Sequence, residues 1–220
     1  MVVERIKTGI YGLDEKIEGG FEKGSVITIL GGPGAGKSII GMQFLYHGAK
    51  NGENGLYYSF EESREDIIKD MEAVGLDPTD LIKQNKLSVV SASPVDFEYL
   101  PIIDSIKKDN IKRLVIDSLS TISMYFENNS KFRRFLLDLV SSLKEIGVTT
   151  IMTDEQAQGT GENEIMFFSG EYLSDAVIKL YYSGLGGEYD RSMQIIKMRR
   201  TNNERSVIPM KIGQGGVYLR

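Results

Sequence analysis

The chain has 220 residues, of which 41% are hydrophobic and 26% are charged, a balance typical of a water-soluble globular protein. The absence of cysteine excludes disulfides, thiolate metal sites and cysteine nucleophiles, and the single histidine argues against a Ser-His-Asp triad. The net charge of −5 is unlike that of a protein built mainly to coat nucleic acid. No apolar run approaches the roughly 18 residues that cross a bilayer, so we expect no membrane segment. The charged start MVVERIKTG lacks the apolar stretch of a signal peptide, and with the absence of cysteine this favours a cytoplasmic location.

The first part of the chain alternates apolar runs with amphipathic segments. Residues 25–30 (SVITIL) form a continuous β-branched run, typical of a central strand that is covered on both faces. The pattern then predicts a helix over 37–50 and a strand over 55–60 (GLYYSF). Ser63 and Asp66 give an N-cap pattern, which predicts that another helix starts there.

The alternation continues toward the C-terminus. Strands are predicted at 87–91 (LSVVS), 113–117 (RLVID) and 148–152 (VTTIM), with a helix over 96–108 and a strongly amphipathic helix over 131–146. Beyond about residue 175, apolar segments joined by Gly-rich turns favour antiparallel strands. We therefore predict one α/β domain over residues 1–220, a mostly parallel twisted sheet with helices on both faces and a C-terminal antiparallel extension.

A glycine-rich loop separates the first predicted strand from the first predicted helix. Residues 31–38, GGPGAGKS, satisfy G-x-x-x-x-G-K-[ST], and their glycines let backbone N–H groups turn toward phosphate oxygens. We expect Lys37 to reach the β- and γ-phosphates and Ser38 to ligate Mg²⁺. The alternative, a surface turn, fits this strand–loop–helix context poorly. The residues expected to contact the phosphates are Gly32, Pro33, Gly34, Ala35, Gly36, Lys37, Ser38 and Ile39.

Acidic residues follow two of the predicted strands. Asp117 ends the strand 113–117, where a carboxylate can hold a Mg²⁺-bound water; an aspartate that starts a turn is the alternative. Glu61 and Glu62 follow the strand 55–60, which we expect to lie close to the phosphate-loop strand. A glutamate there can orient water and accept its proton, although either acid could instead favour the next helix through its dipole. We favour Glu61 as at least one member of the base and leave Glu62 open.

Four segments together resemble the KaiC-like branch of the RecA superfamily. They are residues 8–38, 57–63 (YYSFEES), 113–120 (RLVIDSLS) and 196–200 (IKMRR), and they keep their order over nearly the whole chain. The TG-x-x-GLD start and the FEES segment make the likeness more specific than the phosphate loop alone. The resemblance implies a RecA-like P-loop ATPase that works as a homo-oligomeric ring, commonly a hexamer, with ATP and Mg²⁺ between neighbouring subunits.

The resemblance also implies residue roles. The family's paired glutamates, phosphate-loop lysine and hydroxyl, and Walker B acid correspond to Glu61, Glu62, Lys37, Ser38 and Asp117. The family's K-x-R element, donated across the interface to the neighbour's γ-phosphate, corresponds to Lys197 and Arg199. Alternation along a strand would place these two cations on one face, and two exposed basic residues without such a role are the alternative.

The long segment 155–175 carries the chain's main departure from the clock proteins of this family. Their phosphorylated Ser-Thr pair corresponds to Glu171 and Tyr172, so we do not expect self-phosphorylation by that route; Ser174 and Thr160 remain other candidates. We expect a mobile loop here. Because it has several acids and no Lys or Arg, a protein partner is favoured over single-stranded DNA. Residues 153–156, which overlap its start, either sense the γ-phosphate or form a polar turn.

These observations favour Mg²⁺-dependent ATP hydrolysis at subunit interfaces, with a signalling or regulatory output. The preference for ATP over GTP rests on the resemblance. Two other functions stay open. One is a RadA-like recombinase-paralogue accessory protein that binds single-stranded DNA. The other is an interaction scaffold that ATP assembles and that shows little turnover.

Overall fold

The structure of the protein is a computed structural model that describes residues 3–95, 97–155, 173–187 and 190–220. Its elements in chain order are β1 (Arg5–Ile6), a 3-10 helix (Asp14–Ile17), β2 (Phe21–Glu22), β3 (Val26–Gly31), α1 (Lys37–Lys50), β4 (Gly55–Ser59), α2 (Arg64–Ala73), α3 (Thr79–Lys83), β5 (Leu87–Ser91), α4 (Leu100–Lys108), β6 (Arg113–Asp117), α5 (Leu119–Ser123), α6 (Asn129–Ile146), β7 (Thr149–Asp154), β8 (Ala176–Tyr182), β9 (Arg191–Met198), β10 (Ile208–Gly213) and β11 (Gly216–Leu219).

A nine-stranded sheet in the order β11-β10-β9-β8-β3-β7-β6-β4-β5 forms the centre of the fold. The strands from β8 to β5 in that order are parallel, and β9, β10 and β11 extend the sheet through antiparallel pairs. A mostly parallel α/β sheet with a C-terminal antiparallel extension was predicted, and the structure confirms it. The prediction that β4 lies close to β3 is wrong, because β7 and β6 separate the two strands.

The apolar runs in the strands reflect burial on both faces of the sheet. In β6, Val115 packs into the core on the side of α1 and α2, whereas Leu114 and Ile116 pack into the core on the side of α4 and α6. Ile27 in β3 faces the first of these cores and Val26 faces the second. Since alternate residues serve opposite cores, both faces of these strands carry apolar residues.

Local signals fix several helix ends. The Ser63 side chain caps α2 by accepting a hydrogen bond from the Asp66 amide, as predicted. Helix α6 begins before the predicted residue 131, because the side chain of Asn128 caps it, and it ends at Gly147 with φ of 76°. Helix α4 begins at Leu100 rather than at the predicted residue 96.

Some predictions fall on residues that the structure does not describe. These are the proposed phosphorylation candidate Thr160, the pair Glu171 and Tyr172, and Gln156 at the end of the predicted polar segment. Most of the predicted loop 155–175 therefore lies outside the described residues. None of the helices in the described part of the chain has the length and apolar character needed to cross a bilayer.

Candidate functional site

The phosphate loop connects the end of β3 to the start of α1. Gly34 and Gly36 adopt φ of 73° and 102°, which glycine tolerates better than other residues. Gly36 is the N-cap of α1, and no side chain from the described residues caps the helix there. The first amides of α1 have no intrahelical acceptor, so the loop and helix start present N–H groups and a positive dipole end to an anion.

Lys37 lies along the inside of this loop. Its ammonium Nζ donates hydrogen bonds to the carbonyl oxygens of Gly31 at 2.8 Å and Gly32 at 3.2 Å. The Gly32 carbonyl also accepts a bond from the Ala35 amide at 3.3 Å. The ammonium group of Lys37 is therefore held inside the loop, where its positive charge adds to the partial positive charge at the N-terminus of α1.

A buried tyrosine connects the two residues that were predicted to hold Mg²⁺. The Tyr57 hydroxyl donates to Oδ2 of Asp117, and the Ser38 side chain lies close to the same hydroxyl. Thr153 Oγ1 donates to the other carboxylate oxygen, Oδ1. Burial, followed by the charge of Asp117, raises the pKa of Tyr57 well above its usual value, so the hydroxyl stays protonated and acts as a donor. The structure thus brings Ser38 and Asp117 together beside the loop.

The two glutamates lie beside the turn that follows Asp117. Although β4 is far from β3, it pairs directly with β6, and Ser59 is in register with Asp117. Glu61, just beyond β4, therefore accepts hydrogen bonds from the hydroxyls of Ser118 and Thr121. The position of Glu61 is fixed by these two donors.

Glu62 differs from Glu61 in its electrostatic surroundings. Its amide donates to Ser59 Oγ at 3.0 Å, and the residue is exposed. Partial desolvation of its carboxylate raises its pKa, and the negative charges of Asp70, Asp117 and Glu61 add to this effect. A carboxylate with a raised pKa is a better proton acceptor, and hydrogen bonds from Ser118 and Thr121 anchor its neighbour Glu61.

Lys197 and Arg199 lie at the opposite end of the sheet from the protein's own phosphate loop. Strand β9 starts beside the loop, where Arg191 Nε donates to the Gly34 carbonyl at 3.0 Å. Lys197 lies about 20 Å further along the strand, at 3.3 Å per residue. Strand β9 ends at Met198, so Lys197 lies within the strand and Arg199 lies just beyond it. The predicted alternation along one strand therefore does not extend to Arg199. Neither cation can reach the phosphate loop of the same chain.

Sequence reasoning missed several contacts in this region. The sequence assigns no functional role to Tyr57, Ser118 or Thr121. Thr153 was weighed as a γ-phosphate sensor or part of a polar turn; it binds Asp117, whereas the Glu155 amide donates to Asp154 Oδ1 at 2.9 Å, as in a polar turn. The available signal was the phenolic hydroxyl of Tyr57 within a strand predicted for the interior of the sheet, because a buried hydroxyl needs a partner.

The donor set fits a magnesium-bound nucleotide. Backbone amides and a lysine suit polyphosphate oxygens, while a serine hydroxyl and a buried carboxylate are oxygen ligands of the kind that Mg²⁺ prefers. The uncapped start of α1 lies next to these oxygen donors, as a nucleotide that bridges phosphate loop and metal requires. The arrangement can bind a triphosphate and place acids near its terminal phosphate.

Comparison with known proteins agrees with the nucleotide site that this geometry indicates. Residues 6–220 match the family described as "ATPase: KaiC". The circadian clock oscillator protein KaiC of Prochlorococcus marinus subsp. pastoris is 33% identical over 232 residues, which cover 100% of this chain and 45% of that protein. The protein of the same name from Thermostichus vulcanus is 34% identical over 226 residues, covering 97% and 43%.

The chain spans less than half the length of these curated relatives. A solved structure matches it from end to end: a KaiC-like protein from the hyperthermophilic archaeon Pyrococcus horikoshii OT3 has a TM-score of 0.86 and 35% sequence identity, covering 100% of both chains. Sequence, fold and site geometry agree, and the chain belongs to the KaiC family of ATPases.

Proposed function

We propose that this protein is a Mg²⁺-dependent ATPase whose nucleotide sites lie between the subunits of a homo-oligomeric ring, commonly a hexamer, in the cytoplasm. The output of hydrolysis is a signalling or regulatory change. The observation that carries the proposal is the distribution of charge in the fold. The phosphate loop, Ser38 and Asp117 lie together, whereas Lys197 and Arg199 lie about 20 Å away in the same chain, at 3.3 Å per strand residue.

The phosphate loop and Lys37 would bind the nucleotide. Loop amides and the start of α1 would contact the phosphate oxygens, and Lys37 would exchange its bonds with the Gly31 and Gly32 carbonyls for bonds with phosphate. Ser38 and Asp117 would hold Mg²⁺, with Tyr57 and Thr153 orienting the carboxylate. Bound Mg²⁺ supplies charge neutralisation at the phosphate oxygens.

The glutamate pair would prepare the attacking water. Glu61 is held by two hydroxyls in the turn after Asp117, so its carboxylate can orient a water for in-line attack. Glu62, whose pKa is raised, is suited to accept the proton. We therefore assign orientation to Glu61 and proton acceptance to the pair as a unit.

A neighbouring subunit would complete the site. Lys197 and Arg199 cannot reach their own phosphate loop, and the Arg199 side chain is 47% exposed, so it is accessible to another protomer. A guanidinium and an ammonium from the neighbour would neutralise the charge that develops on the phosphoryl oxygens. The whole of residues 1–220 would act as one ATPase domain, which the single nine-stranded sheet supports.

The first experiment removes both acids. We expect the double variant Glu61→Gln, Glu62→Gln to keep ATP binding and to lose turnover by about 100-fold or more, the usual contribution of a positioned base. Glu65→Gln, an exposed acid in the first turn of α2, is the matched control and should keep wild-type turnover. Undiminished turnover in the double variant would overturn the mechanism.

The second experiment tests the shared site. Lys37→Ala subunits lack the loop lysine and Arg199→Ala subunits lack the donated cation, so each alone should turn over poorly. Mixed together, Lys37→Ala subunits can donate Arg199 to the intact loops of Arg199→Ala subunits, and turnover should partly return. No recovery in mixed oligomers would contradict donation across the interface.

The same assays test the alternative functions. Stimulation by single-stranded DNA with a steep salt dependence would favour the recombinase-paralogue accessory protein. ATP-dependent assembly without turnover would favour the scaffold. The acidic character of the segment 155–175 supports a protein partner there rather than DNA.

A further inference from the structure

Asp175 is a buried acid that is bonded to the start of the phosphate-loop strand. Its amide donates to the Val26 carbonyl at 2.8 Å, and the Val26 amide donates to its carboxylate Oδ2 at 3.1 Å. Val26 is the first residue of β3, and the side chain of Asp175 is only 7% exposed. These reciprocal bonds fix the carboxylate at the end of the sheet opposite the phosphate loop.

The other carboxylate oxygen of Asp175 faces two cations. Oδ1 accepts a hydrogen bond from Lys144 Nζ at 2.8 Å and lies 3.6 Å from Arg199 Nη1. The backbone carbonyl of Asp175 also accepts a bond from the Arg199 amide at 2.9 Å. Asp175 therefore holds Arg199 at two points, its amide and its guanidinium.

The preceding residue has a similar relationship to Lys197. The Ser174 carbonyl accepts a hydrogen bond from Lys197 Nζ at 2.8 Å, and the Ser174 hydroxyl bonds to Thr28 Oγ1 of β3 at 2.6 Å. Both candidate trans-acting cations are thus anchored on residues 174–175, which are themselves bonded to β3. One carboxylate between two cations leaves a net positive charge at this surface, so Arg199 keeps its attraction for phosphate.

We propose that Asp175 is a positioning residue for Arg199, holding the guanidinium at the subunit surface in the orientation that a neighbour's γ-phosphate requires. This role rests on the proposed function. Arginine has many rotamers, and fixing it before subunits meet removes most of the entropy cost of ordering it in the transition state. Asp175 lies at the end of the sheet opposite the phosphate loop of its own chain, so we expect it to affect turnover through Arg199.

The test uses the mixed oligomer, in which one type of subunit supplies Arg199 and the other supplies the nucleotide site. Lys37→Ala subunits act as donors of Arg199, and Arg199→Ala subunits supply the intact nucleotide site. Asp175→Asn is added either to the donor or to the site-bearing subunit, and phosphate release is measured in both mixtures. Asparagine keeps an oxygen that can accept the Val26 amide but removes the charge that holds Arg199.

We expect Asp175→Asn to lower turnover by about 10-fold or more in the donor, as misplacement of a catalytic group does, and to leave it nearly unchanged in the site-bearing subunit. Lys144→Gln in the donor is the matched control, because it removes the other ion pair of Asp175 and leaves Arg199 paired. It should keep the turnover of the unmodified mixture.

The remaining outcomes separate this role from others. An equal loss in both positions would mean that Asp175 serves the fold of each subunit, and no loss in the donor would mean that Arg199 needs no such support; either result overturns the proposal. If the unmodified mixture shows no turnover at all, donation across the interface is excluded, and the proposed role of Asp175 is excluded with it.

Discussion

The Tyr57 hydroxyl donates a hydrogen bond to the carboxylate of Asp117, and both groups are buried where β4 and β6 end side by side. The Thr153 hydroxyl donates to the second carboxylate oxygen from β7. Three neighbouring strands therefore set the direction in which Asp117 faces. A carboxylate oriented in this way is prepared to accept a metal-bound water without rearrangement.

Replacing Tyr57 with phenylalanine should weaken magnesium binding with little change in packing. Because the Tyr57 hydroxyl orients the Asp117 carboxylate, we expect Tyr57→Phe to raise the Mg²⁺ concentration for half-maximal turnover by about 10-fold, the scale seen when supporting hydrogen bonds are removed. A magnesium titration of phosphate release measures it. Tyr58→Phe, at the next position of the same strand, should leave the titration unchanged; an unchanged titration in Tyr57→Phe would contradict the role.

We expect the carboxylate of Glu62 to make turnover rise with pH and to make the free energy of unfolding fall with pH. Its raised pKa means that the folded protein binds this proton more tightly than the unfolded chain does, so its contribution to stability falls as pH rises from 4.5 through the raised value. Glu62→Gln should therefore raise Tm at pH 8 by no more than about 2 °C. It should also remove part of the acid limb of the pH–rate profile.

Thermal unfolding at pH 8 and phosphate release between pH 5 and pH 9 test both expectations. Glu65→Gln again serves as the control, since the carboxylate of Glu65 lies in the first turn of the helix that follows Glu62. A lower Tm in Glu62→Gln than in the control would show that the Glu62 carboxylate stabilises the fold and that the expected direction of the Tm change is wrong.

Gly48 in α1 should resist replacement by alanine even though alanine is the better helix former. A Cβ at Gly48 would overlap Cδ and Nε of the buried Arg113, whose Nη1 donates to the Phe44 carbonyl at 2.8 Å. We expect Gly48→Ala to destabilise the protein by about 1–3 kcal/mol through this overlap, which outweighs a helix-propensity gain of about 1 kcal/mol. Urea unfolding measures the difference.

The control for that substitution is Gly187→Ala. A Cβ at Gly187 meets no atom within 4 Å, so the change in unfolding free energy should stay within about 0.5 kcal/mol. If Gly48→Ala were as stable as this control, the Arg113 side chain would be free to move aside and the packing described around it would be incorrect.

His47 should make the protein less stable in mild acid. Burial lowers its pKa, and Arg113 and Lys7 lower it further, whereas Asp14 and Glu53 oppose that shift. Its contribution to stability is thus complete above 6.5 and is lost as pH falls toward the lowered folded pKa. Urea unfolding at pH 8 and pH 5.8 should show a smaller pH difference in His47→Gln than in the wild type; an identical difference would exclude this residue as the cause.

The sequence was sufficient to predict features that depend on neighbouring residues. The bounds of α1 and the loop before it follow from glycines, a lysine and an apolar period within a short segment, and the structure confirms helix 37–50. The strands β5 and β6 also match their predicted ranges, because each is a short run that contains β-branched residues. The short elements β1, β2, α3 and α5 lack such a signature and were missed.

Features that depend on distant residues could not be predicted in this way. The order of strands places β7 and β6 between β3 and β4, and no local pattern encodes how far a crossover carries the chain. For the same reason, the contact of Glu61 with Ser118 and Thr121 could not be foreseen from the spacing of acids. Tyr57 looks like any aromatic strand residue until its hydroxyl is placed beside Asp117.

Strand β9 gives the chain two unlike ends, because it begins beside Gly34 and ends next to Arg199. Under the proposed donation, the cationic end of one protomer meets the phosphate-binding end of the next, which is a heterologous contact with a fixed direction. An open row of protomers then always leaves one nucleotide without cations and one set of cations unused. In a closed ring every nucleotide receives cations from a neighbour and no set of cations is left unused. Ring closure and full activity per protomer should therefore appear together.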